Sequence, residues 1–110
     1  MKTVYPTDAE LEYVRTWDTD KSSILDFIEE LRRLWWADDW GFKCAQPESN
    51  VLELELHTGG WSGNEEVIGA LQGTMFWILY WQMSKRGGHY YFRIDPVISV
   101  YLNGEKVEQT

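Results

Sequence analysis

At 110 residues, with 18 acidic and 10 basic side chains and a net charge of −8, the chain is the size of one domain and can hold a single core. It lacks the basic footprint that nucleic acid or an anionic membrane surface needs, which argues against both as direct partners. With Cys44 as its one cysteine, it can form neither an intrachain disulfide nor a cysteine-rich zinc site.

Charge is unevenly spread. Residues 1–66 hold 15 acids and 6 bases, whereas 67–110 hold 3 and 4. A basic protein surface is the partner such a chain would favour, although solvated acidic faces also serve plain solubility. Seven Trp, six Tyr and four Phe would mostly fill the core, and the remainder are the residue types that anchor interfaces.

Met1-Lys2-Thr3-Val4-Tyr5 has no apolar signal-peptide core. The charge-free stretch Val67–Ser84 is interrupted by Gly69, Gln72, Gly73, Thr74 and Gln82, and its unbroken apolar run is only Met75–Trp81. That is short of the roughly 20 apolar residues of a spanning helix. A soluble protein of the bacterial host cytoplasm is the expectation.

In chain order, Pro6-Thr7-Asp8-Ala9-Glu10 starts a helix. Thr7 and Glu10 have capping-box spacing, and early acids suit the positive end of the helix dipole. Leu11, Val14 and Trp17 point inward, and the helix stops near Asp18. After a break at Thr19-Asp20-Lys21-Ser22, Ile24, Phe27, Ile28, Leu31, Leu34 and Trp35 mark one buried face of a second helix. Glu29 and Arg33 are spaced to pair on its wet side. Asp38-Asp39-Trp40-Gly41 ends that helix, Phe42–Gln46 is a short strand, and Pro47-Glu48-Ser49-Asn50 is a turn.

Val51–His57 alternates as a half-buried strand, with Leu52, Leu54 and Leu56 inward and Val51, Glu53, Glu55 and His57 outward. A glycine-rich loop follows. Ser62 and Glu65 again have capping-box spacing, and they open one long helix that ends at Lys85-Arg86-Gly87-Gly88. Gly69 and Gly73 would let this helix approach the sheet. His89–Ile94 is a second strong strand, with Tyr90, Phe92 and Ile94 on one side and Tyr91, Arg93 and Asp95 on the other. Asp95-Pro96 interrupts, Val97–Leu102 resumes strand character, and Asn103-Gly104 is a hairpin turn that would fold Glu105–Glu108 back. The expected fold is a single α+β domain over 1–110. Its order is α-α-β-β-α-β-β, with a mostly antiparallel sheet of about four strands and helices on one face.

A helix descending about 30 Å would carry Lys85–His89 to the end of the sheet opposite His57. On that basis a His57–His89 metal pair or shared acid–base site is not expected, and no metal or cofactor is. The His57 end would gather Asp38, Asp39, Trp40, His57, Trp61, Ser62, Asn64, Glu65, Glu66 and Arg93. Such a cluster suits a helix cap, or an acidic Trp-bearing edge for a basic protein. A third role is a ligand or catalytic site on Asp38, Asp39, His57, Glu65 and Glu66, whose carboxylates could do acid–base work if their environments split them. The expected partner-binding set is Asp38, Asp39, Trp40, His57, Trp61, Asn64, Glu65 and Glu66. No residue is assigned a catalytic role, and the chain leans away from being an enzyme. The Gly-Gly-Trp-Ser-Gly-Asn loop fits no phosphate-loop pattern, and Glu65 and Glu66 would repel an anion. A homodimer through the aromatics is a further expectation.

The run Leu56-His57-Thr58-Gly59-Gly60-Trp61-Ser62-Gly63-Asn64-Glu65-Glu66, with Arg86-Gly87-Gly88-His89-Tyr90 after the aromatic segment, resembles small acidic proteins of bacteriophages and prophages. The resemblance covers about residues 50–94 and carries no catalytic residues. It implies a phage accessory protein that binds and blocks a host enzyme, either a defence enzyme or one acting on nucleic acid. That implication is an association rather than a mechanism.

Overall fold

In the computed structural model, residues 5–48 and 51–95 are described. The chain runs α1 (Asp8–Arg15), α2 (Ile24–Leu34), a single-turn α3 (Asp38–Gly41), β1 (Phe42–Glu48), β2 (Val51–His57), α4 (Ser62–Leu71), α5 (Met75–Tyr80), β3 (Trp81–Lys85) and β4 (His89–Ile94). The α+β class and the α-α-β-β-α-β-β order hold, with α3 a turn before the sheet and α4–α5 in the place of the one long helix.

Local chemistry explains the helix starts. Thr7 Oγ1 accepts the Glu10 N–H at 3.1 Å while Glu10 Oε1 accepts the Thr7 N–H at 2.8 Å, completing the capping box. That backbone bond, with the Arg33 guanidinium, holds the Glu10 carboxyl below its ordinary pKa. Ser23 caps α2 by accepting the Asp26 N–H. Arg33 reaches Glu30 and Glu10 rather than Glu29, which pairs with Arg32 at 3.7 Å. Ser62 and Glu65 form no capping box. The N-cap of α4 is Trp61, with no side-chain bond, and Ser62 is already helical.

The four strands lie in the order β1-β2-β4-β3, every pair antiparallel. Leu54, Leu56, Phe92, Ile94 and Phe42 meet a helical layer of Val14, Phe27, Ile28, Leu31, Leu34, Val67, Ile68, Leu71 and Phe76. At its centre Phe76 lies 5.3 Å from Phe27 and 5.4 Å from Phe92, ring centroid to centroid, and Trp17 stacks on Phe27 at 4.3 Å. Trp35 is fully buried. Cys44 packs at the edge of this core, and burial pushes its thiol pKa up, away from the reactive thiolate.

The expected long helix is not formed. Gln72 (φ −63, ψ 133) and Gly73 (φ 85) make a type II turn closed by the Thr74 N–H on the Leu71 carbonyl at 3.1 Å. Position i+2 of that turn requires positive φ, which glycine supplies without strain. Thr74 then caps α5 by accepting the Trp77 N–H at 3.1 Å. The chain leaves α5 directly into β3, which runs back along β4 through the turn at 86–88.

Two consequences follow for the ends of the sheet. Lys85–His89 arrive beside His57, not opposite it, because His57 and His89 are register partners. Arg93 instead pairs with Glu53, further down the strands at 3.5 Å, and leaves the expected cluster. Pro47 and Glu48 belong to β1, whereas the remainder of the expected turn and the strands expected beyond Pro96 lie outside the described residues. Among the described residues, no helix is long and apolar enough to cross a membrane.

Gly69 does not approach the sheet. It is exposed in α4, and a Cβ built there meets nothing within 4 Å. Gly69→Ala is therefore expected to stabilise the fold by about 0.5–1 kcal/mol, since a helical glycine costs that much relative to alanine. A melting midpoint equal to or below wild type would show that this face of α4 is not open.

Candidate functional site

The two glycine motifs of the sequence meet at one end of the sheet. The Thr58 N–H donates to the Gly88 carbonyl at 2.9 Å, joining the loop after β2 to the β3–β4 turn. Asn64, 1% exposed, ties the same loop to the α2–α3 link. Its Oδ1 accepts the Trp36 N–H at 2.8 Å, and its Nδ2 donates to the Trp36 and Thr58 carbonyls at 3.1 and 3.3 Å. Those three bonds make Asn64 a buried clamp with no surface to offer a partner.

Around the clamp the rings form a ladder. Trp61 is half-buried between Tyr5, at 5.3 Å, and Trp36, at 4.8 Å, both stacked. Trp36 is 43% and Trp40 56% exposed. Trp36 precedes α3 and Trp40 lies within it, beside Asp39, which is exposed, and Asp38, which is half-buried; Glu65 and Glu66 are exposed on the first turns of α4. Of the expected partner-binding set, Asp39, Trp40, Glu65 and Glu66 present open surface, Asp38, His57 and Trp61 part of theirs, and Asn64 none. Trp36 joins the exposed group without having been expected. Its neighbour Trp35, the extended C-cap of α2, is the ring that turns into the core, and Trp36 lies on the surface beside it.

The bases expected at the far end lie here too. Lys85 and Arg86 are exposed beside the Thr58 loop, so this end of the domain carries both signs. The Lys85 ammonium lies over the Tyr91 ring, 5.4 Å from its centroid.

On the sheet face away from the helices, His57 and His89 touch. Their Nδ1 atoms are 2.8 Å apart, which overturns the expected separation. Glu55 Oε1 lies 3.2 Å from His57 Nε2. A carboxylate only accepts, so His57 Nε2 carries the proton and its Nδ1 presents a lone pair. In the neutral pair, His89 Nδ1–H donates to it. Tyr91 and Trp40 frame His57 with ring centroids at 6.0 and 6.2 Å. The signal for this pairing was available in the Gly87-Gly88 dipeptide, which marks a hairpin turn as readily as a helix end.

Among the described residues, no three His, Cys, Asp or Glu side chains gather as a metal set. No protein-family profile, curated protein or solved structure matches this chain.

Proposed function

We propose that this chain is a non-enzymatic, phage-related accessory protein that works by binding another protein through the edge formed by α3 and the start of α4. Its target is a host defence or nucleic-acid enzyme with a basic binding surface. One observation carries the reading: Trp36 and Trp40 stand 43% and 56% exposed on either side of Asp38-Asp39. Covering an exposed indole with a partner takes a large apolar area out of water, and Trp is among the residues enriched at interface hot spots. Acidic side chains around it steer a basic partner and set its orientation. The neighbouring Lys85-Arg86 turn limits the footprint on one side by repelling bases that dock too far over. The resemblance to phage and prophage proteins supplies the biological setting.

The test is a pull-down from bacterial host lysate at low and moderate salt, comparing wild type with a Trp40→Ala/Asp39→Asn variant. Neither position belongs to the buried core, so the variant is expected to fold, which a thermal melt checks. One stoichiometric partner, lost in the variant and weakened by salt, is the expected result. Equal capture by the variant would move the interface elsewhere, and empty lanes at both salts would sink the reading.

The alternative is a small ligand-binding protein or enzyme at the Asp38/Asp39/His57/Glu65/Glu66 end. The His57–His89 contact favours a ligand site there, but centred on the sheet face rather than on the carboxylates.

A further inference from the structure

We infer that His57 and His89 form a two-histidine site for a late first-row divalent cation of the zinc, nickel and copper class, bound through both Nδ1 atoms. The two imidazoles turn the same nitrogen toward a common point, at 2.8 Å from one another. Their backbones are register partners on adjacent antiparallel strands, so the donors are held by the ladder rather than by a loop. Glu55 occupies the outer nitrogen of His57. Metal-binding histidines receive the same support, in which a carboxylate on the far nitrogen fixes the tautomer and raises ligand basicity.

The change needed on binding is small. Two nitrogens, each about 2.0–2.1 Å from a tetrahedral cation, stand about 3.3 Å apart. The rings therefore open by roughly half an ångström, which side-chain rotation supplies. The His89 proton moves from Nδ1 to Nε2, leaving two neutral imidazoles with both lone pairs on the metal and no net proton released. Water fills the remaining positions, because no third His, Cys, Asp or Glu among the described residues completes a set.

Imidazole donors select zinc, copper and nickel over magnesium and calcium, which demand oxygen ligands. Of the charged residues in register with this part of the sheet, Glu55 favours a cation, Lys85 sits opposite His89 with its ammonium over Tyr91, and Lys43 sits opposite Glu55. The site adjoins the proposed partner-binding edge, since the Trp40 ring lies 6.2 Å from that of His57.

These are the chain's only two histidines, which makes the test clean. Tag-free protein in a non-coordinating buffer is titrated with zinc chloride, with magnesium chloride as control, by calorimetry and by long-range ¹H–¹⁵N spectra of the imidazoles. The expected result is one zinc per chain and no magnesium, with both Nδ1 signals shifting together. His89→Gln should abolish binding, and Glu55→Ala should weaken it about tenfold or more, as loss of an outer carboxylate does. Imidazole signals that stay put when zinc is added, or a folded His89→Gln that binds zinc as tightly as wild type, would overturn the assignment. Should His89→Gln fail to fold, the wild-type spectra decide alone.

Discussion

Asn64→Asp is expected to be the most damaging single-atom change in this end of the domain, costing about 3 kcal/mol or more. The wild-type amide accepts one backbone N–H and donates to two backbone carbonyls, all from a position 1% exposed. A carboxylate keeps the Trp36 N–H but turns a charged acceptor toward the Trp36 and Thr58 carbonyls, so the Trp36 carbonyl loses its Asn64 donor and the Thr58 carbonyl keeps only the Trp61 N–H, both facing a buried charge. Domains of this size have stabilities of about 5–15 kcal/mol, so the loss would lower the melting midpoint by roughly 15 °C. Lowering the pH should recover part of it, because a protonated carboxyl regains one donor. Thermal and urea melts at neutral and acidic pH measure both effects. A variant within about 1 kcal/mol of wild type would show that the clamp is dispensable.

Gly88→Ala is expected to cost about 3 kcal/mol, from two sources that can be separated. Gly88 has φ 82, in the left-handed region where a Cβ is strained. A Cβ there would also fall 2.1 Å from Thr58 Oγ1 and 3.3 Å from Thr58 Cβ. The turn must then lift from the loop, stretching the Thr58–Gly88 hydrogen bond and pulling His89 from His57. Truncating Thr58 to alanine in the same chain removes the overlap but not the backbone strain, so the double variant should be about as stable as Gly88→Ala or better, despite losing the Thr58 Oγ1 bond to the Gly60 N–H. Effects that simply add would mean the two residues are not in contact.

Both substitutions strike places where segments distant in sequence meet, and there the sequence is least readable. The second helix could be read in advance because Phe27, Ile28, Leu31 and Leu34 repeat at helical spacing, and all four are buried. The strand at Val51–His57 was readable through its alternation, save that Val51, expected outward, is buried and Leu52 only partly so, and the Thr7–Glu10 box through its spacing. Between Ser62 and Lys85 the signals conflict. The run Met75–Trp81 is apolar nearly throughout, and a short apolar run has no periodicity that separates helix from strand. Gly73-Thr74 did carry the break, as a positive-φ residue followed by a cap, but Ser62-x-x-Glu65 gave the opposite hint of one continuous helix.

One misplaced strand then exchanged the ends. If the chain crosses the sheet once between His57 and His89, the two histidines lie far apart; with a return through β3 they touch. Of the expected site, α3 with Asp39 and Trp40 was correctly sent to the His57 end, because Phe42 pairs with Leu56 and the hairpin places whatever precedes it. The same extra reversal takes Arg93 down the strands to Glu53 and brings Lys85, Arg86 and His89 to the His57 end.

What the sequence by itself determined is therefore what acts within a few residues: caps, amphipathic faces, strand alternation, and the class of fold these must pack into. Such terms depend on neighbours one helical turn or one strand residue away, and those neighbours are written in order along the chain. Which residues share an end of the sheet was decided only by the tertiary structure. It rests on how many times the backbone reverses before it pairs, and on the long-range burial of Phe76 against Phe27 and Phe92 that makes the extra reversal favourable. The His57–His89 pair exists because of that reversal, and no local spacing encodes it.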